Sequence, residues 1–304
     1  MIQIAIHGGA GTILRSTMTP ELQQQYEAGL QQALDAGYVI LEQGGSSLDA
    51  VAASVMSLED NPLFNAGKGA VFNHIGGHEM DAAIMYGKTK DAGAVSGVSN
   101  IKNPVKLALA VMQHSNHVML SGTGAEEFAR QQNIPTADDT YFYNELRYNQ
   151  WQEALKEDRV QLDHSDKKFG TVGAVAMDSA GNLAASTSTG GMTNKQFGRV
   201  GDSPIIGAGT YANDICAISC TGHGELFMRS VVAYDIACLI EYKGLSLKDA
   251  CDLVVYDKLV KIGGEGGLIA IDNKGNCELP FNSEGMYRAR RNSDGRNEVL
   301  IYKD

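Results

Sequence analysis

A threonine that follows a glycine and heads an apolar strand narrows most what this chain can become. In Lys168-Phe169-Gly170-Thr171-Val172-Gly173-Ala174-Val175-Ala176-Met177-Asp178, Val172, Val175 and Met177 stand among small residues. That is the pattern of a buried strand. Just upstream, Glu157, Asp158, Arg159, Asp163, Asp166, Lys167 and Lys168 crowd together. This run reads as an exposed linker, where chains are readily cut. A break between Gly170 and Thr171 would give Thr171 a free α-amine beside its hydroxyl. Such an amine, with an ordinary pKa of ~7.7–8.0, is partly neutral near pH 7 and can act as base for its own hydroxyl. Gly170 lacks a Cβ and tolerates the strained backbone that a self-cleaving bond requires. Taken alone, the stretch suits an ordinary strand equally, since threonine is common in strands.

The 304 residues suffice for one large domain or two small ones, and 43% are hydrophobic, enough for a sizeable core. A net charge of −11 argues against nucleic acid, which demands a basic face. An acidic substrate must then be caught by local cations. Cys216, Cys220, Cys238, Cys251 and Cys277 are odd in number and match no zinc spacing. The start, Met1-Ile2-Gln3-Ile4, has no basic leader, and no apolar run approaches the ~20 residues of a membrane span. The expectation is a cytoplasmic protein with reduced thiols and no membrane partner.

Along the chain, Ile2, Ile4 and Ile6 form a short strand ending in a glycine loop, His7-Gly8-Gly9-Ala10-Gly11-Thr12. The loop is either an anion cradle or a turn for close packing. Residues 20–43 read as a helix stopped by Gly44-Gly45, and Ser46 or Ser47 caps a second one. Residues 58–72 read as an irregular loop entering a strand. Strands follow at 79–86, 92–98 and 118–120, with helices at 104–113 and 125–131. From 133 to 169 the pattern fades. Beyond Thr171 come strands at 171–178, 182–186, 205–208 and 215–220. A continuous helix at 225–242 and one at 246–260 follow, and strands at 268–271 and 277–279 close the sheet. Helices, strands, strands, helices and strands in this order give an α+β layering, with sheets packed on each other and helix pairs outside.

Three glycine-rich stretches downstream of Thr171 concentrate polar groups: residues 186–195, 198–204 and 219–225. Arg199 and Asp202 lie three apart across a glycine. They could hold a zwitterion by its α-carboxylate and α-ammonium, or simply pair with each other. Thr221 and Gly222 before the helix offer a hydroxyl and amides for an oxyanion; alternatively, Thr221 only caps that helix. Gly87-Lys88-Thr89 lacks the first glycine of a phosphate loop, and His78-Glu79 lacks the second histidine of a zinc helix.

The set His7-Gly8-Gly9-Ala10-Gly11, Asn65-Ala66-Gly67-Lys68-Gly69, Gly170-Thr171-Val172-Gly173, Ser188-Thr189-Gly190-Gly191, Arg199-Val200-Gly201-Asp202-Ser203-Pro204 and Thr221-Gly222-His223-Gly224-Glu225 closely resembles the plant-type asparaginases, or isoaspartyl peptidases. The likeness runs from about Ile2 to Met286. It implies an N-terminal nucleophile hydrolase with a four-layer αββα sandwich, one domain over 1–304. The precursor would be cut between Gly170 and Thr171, and two cut pairs would assemble as (αβ)2. By this likeness Thr171 is the nucleophile, with Thr189 beside it and Thr221 in the catalytic set. Arg199, Val200, Gly201, Asp202, Thr221, Gly222, His223 and Gly224 surround the substrate, which is asparagine or a β-aspartyl dipeptide. The chemistry needs no cofactor. The main-chain carbonyls of Leu58, Glu59, Asn61, Phe64, Ala66 and Lys68 match a loop that holds sodium in the family. Glycosylasparaginase and threonine endopeptidase activities share the mechanism, and a non-enzymatic anion or nucleotide binder using His7 to Thr12 stands outside it.

Overall fold

The computed structural model describes residues 1–156 and 170–303. The charged run from Glu157 to Lys168, expected to be a linker, lies outside the described residues. In chain order the strands are β1 (Gln3–Gly11), β2 (Met80–Tyr86), β3 (Asp91–Val98), β4 (Met119–Ser121), β5 (Val172–Met177), β6 (Leu183–Thr189), β7 (Thr210–Ala212), β8 (Cys216–Gly222), β9 (Gly266–Asp272), β10 (Cys277–Glu278), β11 (Gly285–Asn292) and β12 (Asn297–Tyr302). The helices are α1 (Pro20–Glu42), α2 (Ser47–Glu59), α3 (Pro104–His114), α4 (Gly122–Gln131), α5 (Asp139–Phe142), α6 (Glu145–Lys156), α7 (Gly224–Ser230), α8 (Val232–Lys243), α9 (Leu247–Asp252) and α10 (Leu259–Lys261).

Among the described residues, eight strands form one sheet in the order β12-β11-β1-β5-β6-β2-β3-β4, and four form a second, β10-β9-β8-β7. Helices α1, α2 and α3 cover one face of the large sheet; β8 and β9 pack on its other face, with α8 and α9 beyond them. This is the four-layer αββα sandwich. Period-two alternation builds it. On β5, Val172, Ala174 and Ala176 face the helices, whereas Val175 and Met177 face the second sheet. On β1, Ile4 and Ile6 face the helices and Ala5 the second sheet. The same parity turns Thr171, Gly173, Thr187 and Thr189 towards the seam between the sheets.

The helix ends follow their side chains. Thr19 accepts from the Leu22 amide ahead of Pro20, and Gly44 leaves α1 at φ 81°. Ser46, not Ser47, caps α2: it accepts from the Asp49 amide at 3.1 Å and donates to the Asp49 carboxylate at 2.7 Å. Ser246 and Asp249 repeat this pattern at α9.

The structure corrects the sequence reading at six places. His7 to Gly11 is not a loop: β1 continues through it, with a bulge between His7 and Gly9, because β11 supplies partners as far as Gly285. Residues 70–72 enter no strand; Phe72 stacks on Trp151 at 5.5 Å and meets His78 at a tilt, 4.3 Å between ring centroids, instead. Ile205 to Ala208 makes only a bridge from Ile206 to Thr210, since Gly207 turns the chain at φ 93°. The helix expected across 225–242 breaks at Val231, which sits at φ 48°. The break lets the Ala233 and Tyr234 amides donate to the Ala208 and Gly207 carbonyls. Residues 253–258 widen to a π-helical turn between α9 and α10. Finally, α5, α6, β11 and β12 were not read from the sequence.

Candidate active site

Thr171 immediately precedes β5 at the seam between the sheets and is 8% exposed. Its hydroxyl donates to Thr189 Oγ1 at 3.2 Å, and Thr189 Oγ1 also accepts from the Gly191 amide at 3.0 Å. The Thr171 carbonyl accepts from His7 Nδ1 at 3.0 Å. The bulge in β1 cradles the peptide ahead of Thr171. A Cβ on Gly9, which sits at φ 113°, would lie 2.5 Å from the Gly170 nitrogen, so only glycine fits there. Thr221 Oγ1 accepts from the Ala10 amide at 3.2 Å and stands 3.0 Å from where a Gly170 Cβ would be. The Gly170–Thr171 bond therefore lies between the β1 bulge and the end of β8.

An open cleft leads to Thr171. Its walls include Thr189, Arg199, Gly201, Asp202, Gly222 and Gly224. Arg199 is not paired with Asp202, as the simplest reading of their spacing would have it. Its Nε and Nη2 instead donate to the two carboxylate oxygens of Glu225, each at 2.8 Å. Burial would raise the Glu225 carboxyl, but the Arg199 contacts outweigh it and hold that group below its ordinary value. Asp202 is buried, and its Oδ2 has no hydrogen-bond partner among the described residues. Burial pushes its carboxyl up to about 7, against the pull of the nearby Arg199 charge. A Cβ on Gly224 would lie 2.8 Å from Arg199 Nη2 and 2.9 Å from Asp202 Oδ1, so a larger residue would close the space between them.

Thr221 and Gly222 end β8 and are not at a helix terminus; His223 precedes α7, and its side chain caps nothing. Val200 and His223 are half-buried and Thr221 is fully buried, and none of the three lines the cleft. His223 Nε2 lies 3.7 Å from the Glu225 carboxylate. Sequence reasoning assigned no role to Asn65, Gly191, Met192 or Ser203, which line the cleft, nor to Glu225. Asn65 had a signal: an amide side chain between an apolar segment and Gly67-Lys68-Gly69. Buried there, it donates to the Gly191 carbonyl at 2.8 Å and accepts from the Val71 amide at 3.1 Å.

In the loop from Leu58 to Lys68, carbonyl oxygens crowd the turn Gly67–Gly69. A Cβ on Gly67 would lie 2.5 Å from the Glu59 oxygen, and one on Gly69 would lie 2.8 Å from the Pro62 oxygen and overlap that of Phe64. Such neutral oxygens suit a hard cation. The Lys68 ammonium stands over the Tyr141 ring, 5.4 Å from its centroid. The Glu59 side chain is fully buried and accepts from Ser188 Oγ at 2.6 Å and the Val105 amide at 3.0 Å.

A family profile described as asparaginase matches residues 1–301. The chain is 54% identical over 308 positions to an isoaspartyl peptidase of Salmonella typhimurium, covering 99% of this chain and 98% of that one. It is 54% identical to an isoaspartyl peptidase of Escherichia coli, covering 99% and 96%. A plant-type L-asparaginase of Pyrococcus abyssi is 41% identical, covering 98% of each chain.

Proposed function

Because this chain belongs to the asparaginase family, we propose that it is an amidohydrolase that cuts itself before Thr171 and then cleaves β-aspartyl dipeptides and asparagine. The relatives' names support the reaction class. One observation carries the mechanism. The Thr171 hydroxyl faces a cleft, and the His7 imidazole bound to its carbonyl is already committed. His7 gives Nδ1 to the Thr171 carbonyl and Nε2 to Ser219 Oγ. The base for the hydroxyl is then the amine of Thr171 itself, once freed, as in the family.

In maturation, Thr171 Oγ1 attacks the Gly170 carbonyl carbon. The bond to the Thr171 nitrogen breaks, an ester forms, and water hydrolyses it. Residues 1–170 and 171–304 remain together as one Ntn-hydrolase domain, and two such pairs associate as (αβ)2. In turnover, Arg199 holds the substrate α-carboxylate and Asp202 the α-ammonium. Thr171 Oγ1 attacks the side-chain carbonyl while the Thr171 amine takes its proton. The oxyanion rests on the Thr221 hydroxyl and the Gly222 amide; losing one such donor costs about 10²–10³ in kcat. The amine returns the proton to the departing ammonia or amino acid. Water then hydrolyses the aspartyl ester, releasing aspartate and restoring Thr171.

The carbonyls of Leu58, Glu59, Asn61, Phe64, Ala66 and Lys68 would hold a structural sodium ion, which takes no part in these steps. Among the described residues no helix is long and apolar enough to cross a membrane. All five cysteines are free, which supports a reducing, cytoplasmic setting.

N-terminal sequencing of purified protein tests the scheme, followed by a β-aspartyl dipeptide assay. The expected result is a second N-terminus at Thr171 that appears together with activity. Full activity in a preparation of wholly uncut chain would refute the mechanism.

A further inference from the structure

His7 is fully buried in β1, and burial lowers its imidazole to about 3, so it is neutral at any working pH. The Thr171 carbonyl can only accept, so the Nδ1 contact at 3.0 Å requires the proton on Nδ1. Nε2 is then an acceptor, and the 2.9 Å contact from Ser219 requires the Ser219 hydroxyl to donate. Ser219 Oγ in turn lies 2.7 Å from Thr187 Oγ1, which accepts from Thr210 Oγ1 at 2.6 Å. This row crosses the seam between the sheets from β1 and β5 to β8, β6 and β7. Gly173 makes room for it: a Cβ there would overlap both Ser219 Oγ and His7 Nε2. Ser219 also lies two residues before Thr221 on the same strand.

We propose that His7 is a positioning residue for the nucleophile: its Nδ1–H fixes the Thr171 carbonyl, and its Nε2, held by Ser219, ties that carbonyl to the strand carrying Thr221. The inference rests on the proposed nucleophile but assigns a new duty to a residue outside the cleft. The held carbonyl belongs to the Thr171–Val172 peptide, so the contact is kept before and after the cut. Freed from its neighbour, a chain-terminal Thr171 would swing about its Cα–C bond. Removing a contact that limits this swing should lower kcat and leave KM alone, because the Arg199–Asp202 grip is untouched.

Two isosteric variants separate positioning from packing. In His7→Asn the side-chain NH2 falls near Nδ1 and can still donate to the Thr171 carbonyl. In His7→Gln the amide falls near Nε2 and keeps only Ser219. Cut protein of each is assayed on a β-aspartyl dipeptide, with kcat given per Thr171 N-terminus counted by mass spectrometry, and Tm is recorded. The expected result is a kcat loss of about 10- to 100-fold in His7→Gln at a KM within about twofold, with His7→Asn within about fivefold of wild type. If His7→Gln is cut too slowly to yield mature protein, the rate at which the Thr171 terminus appears is compared instead, with the same order expected. Equal kcat in His7→Gln and wild type overturns the role. So does an equal loss in both variants that follows Tm. A wild type that matures but hydrolyses no β-aspartyl dipeptide or asparagine counts against the proposed function, and the maturation rates still test His7.

Discussion

Arg199 lays the Nε–Nη2 edge of its guanidinium against both carboxylate oxygens of Glu225, 2.8 Å at each contact. A side chain proposed to grip a substrate carboxylate therefore already holds one. The substrate must take the remaining Nη1 edge, and Glu225 sets the direction in which that edge points. This pair explains why Arg199 leaves Asp202 alone, three residues away.

Removing the grip and removing its support should differ in degree. Arg199→Ala deletes a charge-assisted contact worth roughly 1.5–3 kcal/mol, so KM is expected to rise about 10- to 100-fold. Glu225→Ala leaves the charge but frees the guanidinium to wander, and KM should rise by less, about three- to tenfold. Steady-state kinetics on one β-aspartyl dipeptide compares them. A KM unchanged in Arg199→Ala would sink the clamp.

The pH dependence of kcat/KM should report Asp202. Burial pushes its carboxyl up to about 7, and only the ionised form attracts an α-ammonium. In the free enzyme kcat/KM should therefore fall as pH drops below about 7, approaching tenfold per unit. The Thr171 amine, which must be neutral, acts in the same direction. Asp202→Asn should remove the Asp202 part of the acid limb together with most of the binding. An unchanged acid limb in that variant would leave the amine as its whole cause.

Glu59 offers a stability test with a defined sign. Burial pushes its carboxyl up to about 8 from an ordinary 4.5, against the hydrogen bonds from Ser188 and Val105. The folded chain thus binds a proton that the unfolded chain has lost between those values. Stability from this group is full below about 4.5 and declines as pH rises towards 8. Glu59→Gln keeps an acceptor for both donors and cannot ionise. Its stability should match wild type near pH 4.5 and exceed it at pH 8 by on the order of a few kcal/mol, read as a higher Tm at pH 8 only. Parallel Tm curves for the two proteins would contradict the assignment.

The parts of the molecule that announce themselves in sequence are those with local causes. Thr171 behind Gly170, the Ser246–Asp249 cap and the β5 alternation all follow from residue type and spacing, and the layered fold follows from element order. What escaped depends on partners distant in the chain. Ile205 to Ala208 has the composition of a strand, but only the three-dimensional path places Gly207 and Ala208 where α8 needs carbonyls. The β11 strand carries Arg288, Arg290 and Arg291, which hid the buried Tyr287 ahead of them and Ala289 between the first two. Glu225 carried no role beyond opening a helix, since nothing local ties it to Arg199. His7 read only as the edge of a glycine loop, anion cradle or packing turn, because Ser219 lies 212 positions away.

Thr171 itself gives the most direct prediction. Thr171→Ala should stay as one intact chain on a denaturing gel and show no hydrolysis, because both events need the same hydroxyl. Thr171→Ser keeps a hydroxyl on a terminal residue and should retain some cutting and turnover. Mass spectrometry over days distinguishes slow maturation from none. Cutting in Thr171→Ala at the wild-type rate would show that another group breaks the bond.

Asn65 gives the last. It was not foreseen as a working residue, yet its amide joins two parts of the cleft: Oδ1 accepts from the Val71 amide and Nδ2 donates to the Gly191 carbonyl. The Gly191 amide then donates to Thr189 Oγ1, which accepts the Thr171 hydroxyl. Three steps thus separate Asn65 from the nucleophile. Asn65→Ala leaves a buried amide and a carbonyl without partners, at about 1–3 kcal/mol for each such group. Asn65→Asp keeps the acceptor for Val71 but sets a carboxylate against the Gly191 carbonyl. If the link to Gly191 matters for chemistry, Asn65→Asp should lose kcat about as severely as Asn65→Ala, by ten- to a hundredfold, while losing less Tm because the Val71 contact survives. If kcat instead follows Tm across the two variants, Asn65 supports the loop and has no separate hold on Thr189.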